Sequence, residues 1–317
     1  MDGILIIDKP AGITSHDVVA RVRRILQTKR IGHTGTLDPF ATGVMVILVG
    51  KATRLAQFLD KDAKQYEAVV RFGFETDTGD RAGELRITNY ELRNFSIEEI
   101  EKSLSDFRGE IWQTPPMYSA KKVEGKKLYE LARKGIEIER KPVKVSIYDL
   151  EIINSTEKES ETANAAGQDT NAENQKPKTK DRMLRVSCSA GTYIRTLAED
   201  IGRKLKIGAH LAELRRTKAG KFAIEKAVSL EQLEKIVAEK NLETVLISMN
   251  AAVSHLEEIR LSIDEIGKIK NGVRLKRILS ETKNESFLRL TDDEENLLAI
   301  GIYDESEKTI RPNLVLV

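Results

Sequence analysis

Residues 32–43, with the sequence GHTGTLDPFATG, constrain the fold of this chain more than any other segment. Three glycines and one proline surround a single carboxylate, Asp38, which directly precedes Pro39. A residue before proline is pushed away from helical geometry, and glycines let backbone or ligand approach closely. The apolar run at residues 44–49 then predicts a buried strand. Residues 32–43, the signature loop, are therefore predicted to project Asp38 from an anchored turn.

The Asp38-Pro39 pair has a second interpretation when it is taken alone. Aspartate is a common N-cap, and proline is favoured at the first position of a helix. The same two residues could therefore do no more than start a helix.

The periodicity of the remaining chain predicts interspersed helices and strands. Thr14 and Asp17 form a potential capping box that opens a helix through about residue 26. Residues 66–74 alternate between apolar and polar side chains, as a half-buried strand does. This mixture is typical of an α+β domain.

The signature loop resembles the corresponding segment of the TruB-type pseudouridine synthases, in which the aspartate at the position of Asp38 is catalytic. Four further segments resemble the family in the same order, so that the resemblance extends from residue 1 to about residue 225. These segments are residues 3–12, 64–80, 113–120 and 191–196. The resemblance implies a mixed-sheet α+β catalytic domain and an enzyme, an isomerase, that converts the T-loop uridine of tRNA, conventionally position 55, to pseudouridine.

The resemblance also implies the residues of the site. Asp38 is expected to be the nucleophile, and Arg195 is expected to keep it ionised, because a nearby guanidinium lowers the pKa of a carboxyl group. Tyr66 is expected to stack on the target base and relay a proton. Without the resemblance, Arg195 would read as an ordinary ion-pair partner and Tyr66 as a core residue. The expected substrate-binding residues contact the flipped nucleotides, wall the uracil pocket or buttress the loop: His33, Tyr193, Leu214 and Lys9.

The implied reaction requires no metal and no organic cofactor, because a carboxylate nucleophile and proton transfers suffice. The four histidines of the chain lack the spacing of zinc ligands. Its one cysteine, Cys188, has no thiol partner and is expected to be buried. Asp77 and Asp80 are predicted to form an Asx-rich turn without a chemical role.

The basic residues are distributed unevenly, although the net charge is only +2. Residues 119–150 contain nine Lys or Arg against five acids, and residues 195–226 contain nine against four. Such clusters could supply an electropositive face for the T arm of tRNA, or could be a solvated helix surface. Binding that weakens with salt would indicate the RNA face.

Other features concern location and assembly. The chain has no long uncharged apolar run, and its N-terminus reads as a strand instead of a signal peptide. We therefore expect a cytoplasmic enzyme without a membrane span, acting as a monomer that requires no protein partner.

Two domains are predicted, a catalytic domain at residues 1–250 and a small domain at residues 251–317. The second domain resembles a small RNA-binding β-barrel of the PUA type, and the resemblance implies that fold and RNA binding. Residues 155–182 contain no Ile, Leu, Val, Met or aromatic residue, so they are predicted to be a disordered insertion. The insertion would connect the two strands of a hairpin, at residues 143–153 and 183–189. The tail has 13 acids and 10 bases, yet five bases fall within residues 268–277, and this stretch is expected to touch RNA.

Two other functions are compatible with the same scaffold. One is a guide-RNA-dependent pseudouridine synthase, whose related signature usually has a basic residue where this chain has Phe40. The other is a non-catalytic module that binds or folds RNA. Activity of the protein alone on a bare tRNA transcript would distinguish both from a stand-alone enzyme.

Overall fold

The computed structural model describes residues 1–86, 95–119, 121–123, 125–153, 180–279 and 282–317. Helices and strands are interspersed along these residues, as predicted. The helices are α1 (Ser15–Ile25), α2 (Ala56–Leu59), α3 (Ile97–Leu104), α4 (Leu128–Ala132), α5 (Ile194–Lys204), α6 (Leu230–Ala238), α7 (Met249–Ala252) and α8 (Ile263–Lys270). The strands are β1 (Gly3–Lys9), β2 (Ile31–Thr34), β3 (Thr42–Val49), β4 (Lys64–Phe72), β5 (Glu75–Thr76), β6 (Leu85–Arg86), β7 (Gly109–Gln113), β8 (Lys122–Val123), β9 (Lys126–Lys127), β10 (Val143–Ile152), β11 (Lys180–Cys188), β12 (Ala209–Ala219), β13 (Phe222–Ala223), β14 (Glu257–Arg260), β15 (Leu275–Lys276), β16 (Phe287–Thr291), β17 (Leu297–Asp304) and β18 (Thr309–Val315).

A large mixed sheet organises the first part of the chain. In the part of the chain that the structure describes, it has nine strands, with the order β1-β3-β12-β4-β11-β10-β7 and with β2 and β13 paired to β3 and β12. The β3–β12 pair is parallel, and its neighbours β1–β3 and β12–β4 are antiparallel. The predicted mixed-sheet α+β class is confirmed.

Strand β3, predicted from its apolar run, is buried on both faces. Met45 and Ile47 pack with α1 and α6 on one face, in a cluster that includes Val18 and Leu233. The alternate residues of β3 face the C-terminal strands instead. Helix α1 begins with the predicted capping box, since the Thr14 side chain accepts a hydrogen bond from the Asp17 backbone and the Asp17 carboxylate accepts one from Thr14.

The predicted hairpin is present as the antiparallel pair β10–β11. Residues 154–179, most of the predicted disordered insertion of residues 155–182, lie outside the described residues. Strand β11 begins at Lys180, three residues earlier than predicted, and it pairs with β4 from that residue on. A bidentate ion pair between Arg71 and Asp181, at 2.8 Å, holds this early part of β11. The last three residues of the predicted insertion are therefore strand.

The tail forms a second sheet with the order β14-β16-β17-β18-β15. The two predicted strands at residues 287–290 and 297–302 lie within β16 and β17. Among the residues described, no pairing joins β14 to β15, so the sheet is open there and the predicted closed barrel is not seen.

The C-terminal sheet packs directly on the large sheet. Ile300 and Leu314 share an apolar cluster with Val44 and Leu48 of β3. The predicted boundary after residue 250 falls inside α7, and this cluster extends to both sides of it. The two parts thus share one apolar cluster, while the tail has a second cluster of its own. None of the helices in the described ranges has the length and apolar character needed to cross a membrane.

Candidate active site

The signature loop spans the end of β2, a turn and the start of β3. The Asp38 carbonyl accepts a hydrogen bond from the Ala41 backbone at 3.1 Å, and residues 38–41 form a turn instead of a helix start. Gly43 has a φ of 103°, and a Cβ atom there would collide with the backbone of Arg216 on β12. Only glycine fits this position, because both its conformation and the close approach of β12 exclude a side chain.

Asp38 and Arg195 form a two-point ion pair in a cleft. Nε of Arg195 lies 2.9 Å from Oδ2 of Asp38, and Nη2 donates to Oδ1 at 3.3 Å. The Arg195 side chain is 5% exposed, whereas 33% of the Asp38 side chain remains exposed. A bidentate guanidinium fixes the orientation of a carboxylate. Asp38 is therefore oriented and can still be reached from the cleft.

Three further contacts fix Arg195, the second residue of α5. Its Nη1 donates to the Thr78 carbonyl at 2.9 Å, and its Nη2 donates to the Tyr118 carbonyl at 2.6 Å. Nη1 also lies 3.7 Å from Oδ2 of Asp80. The guanidinium thus joins the signature loop to two segments that are distant in sequence.

The sequence pattern did not show that Asp80 lies in the active site. It forms the predicted Asx-type turn, accepting from the Ala82 backbone at 2.9 Å and from the Thr78 hydroxyl at 2.8 Å. It is also buried beside Arg195. The interpretation of Asp80 as a turn residue alone is therefore incomplete, because its carboxylate is part of the charge cluster that contains Asp38.

The pKa of Asp38 is shifted in the opposite direction to the one expected from Arg195 alone. Burial raises the pKa of Asp38, Arg195 opposes this shift, and the negative charge of Asp80 adds to it. The net shift is upward from the ordinary value of 3.8. Arg195 thus lowers the pKa of Asp38 as expected, but burial of the carboxylate raises it by more.

The cleft in front of Asp38 encloses about 560 Å³, within the range of about 300–1,000 Å³ common for ligand pockets. Tyr66 lines it from β4, whose side chains alternate between buried and half-buried positions. Burial raises the pKa of the Tyr66 phenol, and the positive charge of Arg216 opposes the shift. Tyr66 is therefore a neutral phenol at the edge of the cleft.

The predicted pocket walls also lie in the cleft. Tyr193 is the N-cap of α5, and its backbone N–H donates to Oε1 of the buried Gln113 at 3.0 Å. Leu214 on β12 lines the cleft and is 7% exposed. The structure thus brings Asp38, Arg195, Tyr66 and these two walls together from four separate segments.

His33 lies at the rim of the same cleft, on β2. Its ring packs edge to face on His16, with the ring centroids 6.0 Å apart. Burial lowers the pKa of His33, with help from the charges of His16 and Arg216. Its Nδ1 is buried and has no hydrogen-bond partner among the described residues. A neutral imidazole with an unsatisfied nitrogen is better suited to a hydrogen bond with a ligand than to acid–base chemistry.

Lys9 does not line the cleft. Its side chain is fully buried behind the signature loop, where Nζ donates to the carbonyls of Ala41 at 2.7 Å, Pro10 at 3.0 Å and Pro39 at 3.1 Å. Burial lowers the pKa of Lys9 to about 8. Lys9 therefore supports the signature loop, as predicted. It was also expected to bind substrate, but protein atoms surround its ammonium group, so it does not reach the cleft.

Arg216 is the buried residue that sequence reasoning missed. It is 1% exposed and lines the cleft beneath the signature loop. Its neighbour Arg215 points the other way and pairs with Asp8 at 2.8 Å. Two successive arginines on a strand must face opposite sides, but nothing in the sequence indicates that one of those sides is closed to water.

Cys188 is buried, as predicted, and burial raises the pKa of its thiol to about 11. No cluster of three or more His, Cys, Asp or Glu side chains that could hold a metal ion is found in the ranges that the structure covers.

Two family models match the chain. Residues 23–194 match the model described as "TruB family pseudouridylate synthase (N terminal domain)". Residues 195–254 match the model described as "tRNA pseudouridylate synthase B C-terminal domain". The junction of the two matches falls directly before Arg195.

Individual proteins resemble the chain over most of its length. It is 41% identical over 317 residues to "tRNA pseudouridine synthase B" of Aquifex aeolicus, with 100% of both chains covered. It is 44% identical over 274 residues to the protein of that name from Solibacter usitatus, with 86% of this chain and 85% of the relative covered. Among solved structures, "Crystal Structure of a Cbf5-Nop10-Gar1 Complex" matches with a TM-score of 0.72 at 24% identity, covering 99% of this chain and 85% of that one. This last likeness concerns the fold alone.

Proposed function

The chain belongs to the TruB family of pseudouridylate synthases, and from this premise we propose that it isomerises the T-loop uridine of tRNA, position 55, to pseudouridine. One observation carries the proposal for this chain. Asp38 is held by Arg195 at 2.9 Å in a cleft that Tyr66 and Tyr193 line, and it remains partly exposed to that cleft. An oriented carboxylate beside a cleft that can admit a base is what glycosidic bond cleavage without a cofactor requires.

The reaction breaks the N-glycosidic bond, turns the detached uracil and rejoins it through carbon 5. We assign Asp38 the part of the nucleophile, which attacks the anomeric carbon or the uracil ring, or assists formation of a glycal. Each route requires the ionised carboxylate, so the rise in the pKa of Asp38 on burial must be limited. Arg195 serves this purpose, since its positive charge opposes the rise.

The walls of the cleft would confine the free base. We assign Tyr66 to stack on the uracil and to relay a proton, because it presents a flat ring and a polar tip. Tyr193 and Leu214 would form the other walls. A base must leave the T loop to enter this cleft, at a cost of a few kcal/mol that stacking and pocket hydrogen bonds recover. The unsatisfied Nδ1 of His33 at the rim is suited to contact the flipped nucleotides.

The T arm of tRNA is the proposed partner, and no protein partner is required. The basic segment at residues 119–150 begins at Ser119, which lines the cleft, and it exposes Lys126, Arg133 and Lys134. Phosphate contacts from such residues position an RNA without reading its sequence. They would place the T loop over the cleft.

The tail is proposed to add a second contact with RNA. We take residues 1–250 as the catalytic domain and residues 251–317 as a PUA-like module. The exposed bases within residues 268–277 of this module are Lys268, Lys270, Arg274 and Lys276. Arg277, expected in the same patch, is instead engaged by Glu265 at 2.7 Å. The patch thus offers four charges to RNA instead of five.

We further propose that the protein acts as a monomer in the cytoplasm, where tRNA is available to it. Two alternatives remain to be tested, a guide-RNA-dependent synthase and a non-catalytic RNA-binding module. Both differ from the proposal in one measurable respect, because neither converts bare tRNA transcript on its own.

The test is tritium release from a tRNA transcript labelled at carbon 5 of uridine, because that hydrogen must leave when carbon 5 becomes the glycosidic position. We expect one tritium released per tRNA by the protein alone and none by Asp38→Asn, with equal binding of tRNA by both. Binding without release by the parent protein would contradict the proposal and favour one of the alternatives.

A further inference from the structure

We propose that Arg216 is a positioning residue that holds the Tyr66 phenol and the signature loop in one arrangement, so that Tyr66 and Asp38 face the same substrate. The inference rests on the proposed function and adds a residue to it. Arg216 is not itself placed against the base, since it acts through Tyr66 and through the loop.

The position of Arg216 in the sheet is the first observation that supports this role. On β12 it lies directly opposite Tyr66 of β4 on one side and opposite Gly43 of β3 on the other. Residues directly opposite in an antiparallel pair have Cβ atoms about 4.5–5.5 Å apart and project to the same face. Arg216 therefore emerges beside Tyr66, under the loop that Gly43 ends.

The hydrogen bonds of the guanidinium are the second support. Nε donates to the Val44 carbonyl at 2.7 Å, Nη2 donates to the Gly35 carbonyl at 3.1 Å, and Nη1 lies 3.5 Å from the Thr36 carbonyl. The Gly35 and Thr36 carbonyls belong to the turn that leads into Asp38. Lys9 holds the carbonyls that follow Asp38, so the two cations fix the turn from both of its ends.

The burial of Arg216 without a carboxylate is the third support. Its side chain is 1% exposed, and within the described residues it forms no ion pair with an acid. A charge this enclosed is costly unless hydrogen bonds satisfy it. The carbonyls of Gly35, Thr36 and Val44 meet that need, so a shift of the loop would leave buried donors unpaired.

The link to Tyr66 has a direct chemical consequence. A phenol can donate one hydrogen bond and can also accept one. Arg216 lies directly opposite Tyr66, and its positive charge acts on the phenol oxygen. A cation on this side favours the orientation in which the phenol hydrogen points away from it, into the cleft, so that Tyr66 can donate toward the base. A displacement of about 1 Å at a reacting centre can cost about 10²-fold in rate.

The experiment is a double-mutant cycle between positions 216 and 66. Arg216→Lys and Arg216→Gln are each made with Tyr66 and with Tyr66→Phe, and the single-turnover rate of tritium release is measured at saturating enzyme. We expect each Arg216 substitution to lower the rate at least about tenfold beside Tyr66 and much less beside Phe, because coupled residues are not additive. Binding of tRNA should change less than threefold in every variant.

Arg215→Lys is the matched control, since Arg215 is adjacent, pairs with Asp8 and does not line the cleft. It should leave the rate unchanged in both backgrounds. Equal losses at position 216 in both backgrounds would overturn the inference, because a general structural role does not depend on the phenol. Absence of release by the parent protein would instead contradict the proposed function itself.

A second measurement keeps Arg216 intact and so does not depend on how its substitutions fold. In protein labelled with ¹⁵N at the arginine side chains, the Arg216 Nη signals should shift in Tyr66→Phe, which removes the phenol oxygen from the residue directly opposite Arg216. Tyr193→Phe should leave these signals in place. Unchanged Arg216 signals in Tyr66→Phe would overturn the inference.

Discussion

In front of the signature loop, the Arg195 guanidinium meets two carboxylates, Asp38 and Asp80. Behind the loop, the Lys9 ammonium meets only backbone carbonyls, those of Pro10, Pro39 and Ala41. Both cations are buried, but only the front cluster contains a carboxylate that lines the cleft, Asp38. The Arg195 cluster, in front of the loop, should therefore control the reaction rate and its pH dependence. Lys9, behind the loop, should control the stability of the fold.

Loss of Arg195 is expected to have the largest effect on rate. Arg195→Met leaves Asp38 and Asp80 without their shared cation, so the pKa of Asp38 should rise further and the carboxylate should lose its orientation. We expect single-turnover tritium release to fall about 10²- to 10³-fold at pH 7, with partial recovery as the pH is raised. A rate within threefold of the parent at pH 7 would contradict the claim that the cluster in front of the loop controls the reaction rate.

Loss of Lys9 should act on stability instead. Lys9→Met leaves three carbonyls buried without a donor, which should lower the free energy of unfolding by about 3 kcal/mol. The rate per folded molecule should stay within about tenfold of the parent, because the ammonium does not reach the cleft. Denaturant unfolding measures the first quantity, and Lys235→Met on the exposed face of α6 is the matched control. A large loss of rate with unchanged stability would contradict this account of the back.

The pH profile offers a finer test of the front. Burial raises the pKa of Asp38, and Asp80 adds to the rise, so activity should fall on acidification before the pH reaches the ordinary aspartate value. Asp80→Asn removes one negative charge and keeps the turn acceptor. The acid limb of the rate profile should then move to lower pH.

Asp77→Asn is the control for this profile, because Asp77 is an exposed residue of the same turn region and its carboxylate accepts from the Glu84 backbone at 2.8 Å. Its acid limb should coincide with that of the parent. An Asp80→Asn limb that stays in place, or moves to higher pH, would mean that Asp80 does not act on Asp38.

The smallest effect is expected for the connection between β10 and β11. This connection, residues 154–179, lies outside the described residues, and neither Ile152 at the end of β10 nor Lys180 at the start of β11 lines the cleft. Replacing them with a short glycine-rich linker that leaves Lys180 free to pair with β4 should preserve the rate and the midpoint of thermal unfolding. Loss of folded protein would show that this connection contributes to the core.

The sequence predicted the residues whose role depends on local pattern. The loop that presents Asp38, the hairpin β10–β11 and the capping box of α1 all follow from spacing and turn chemistry. Arg195 and Tyr66 were identified through segments that resemble the family, and both line the cleft with Asp38.

Other features depend on burial by segments that are distant in sequence, and no local sequence pattern predicts such burial. Asp80 shows its turn in the sequence, but its proximity to Arg195 depends on where α5 begins. The direction of the Asp38 pKa shift depends on how much water the folded cleft excludes. Arg216 is buried only because three strands and a turn close around it. Likewise, alternation predicted the tail strands but not whether their sheet closes.

The most direct test of the account is to map pseudouridine in a bare tRNA transcript after treatment with the purified protein alone. Carbodiimide modification and primer extension would be read at every uridine, with Asp38→Asn and a transcript carrying cytidine at position 55 as controls. The account predicts complete conversion at position 55 by the parent protein and no conversion in either control. Conversion only at other uridines, or none without added guide RNA or protein, would contradict it.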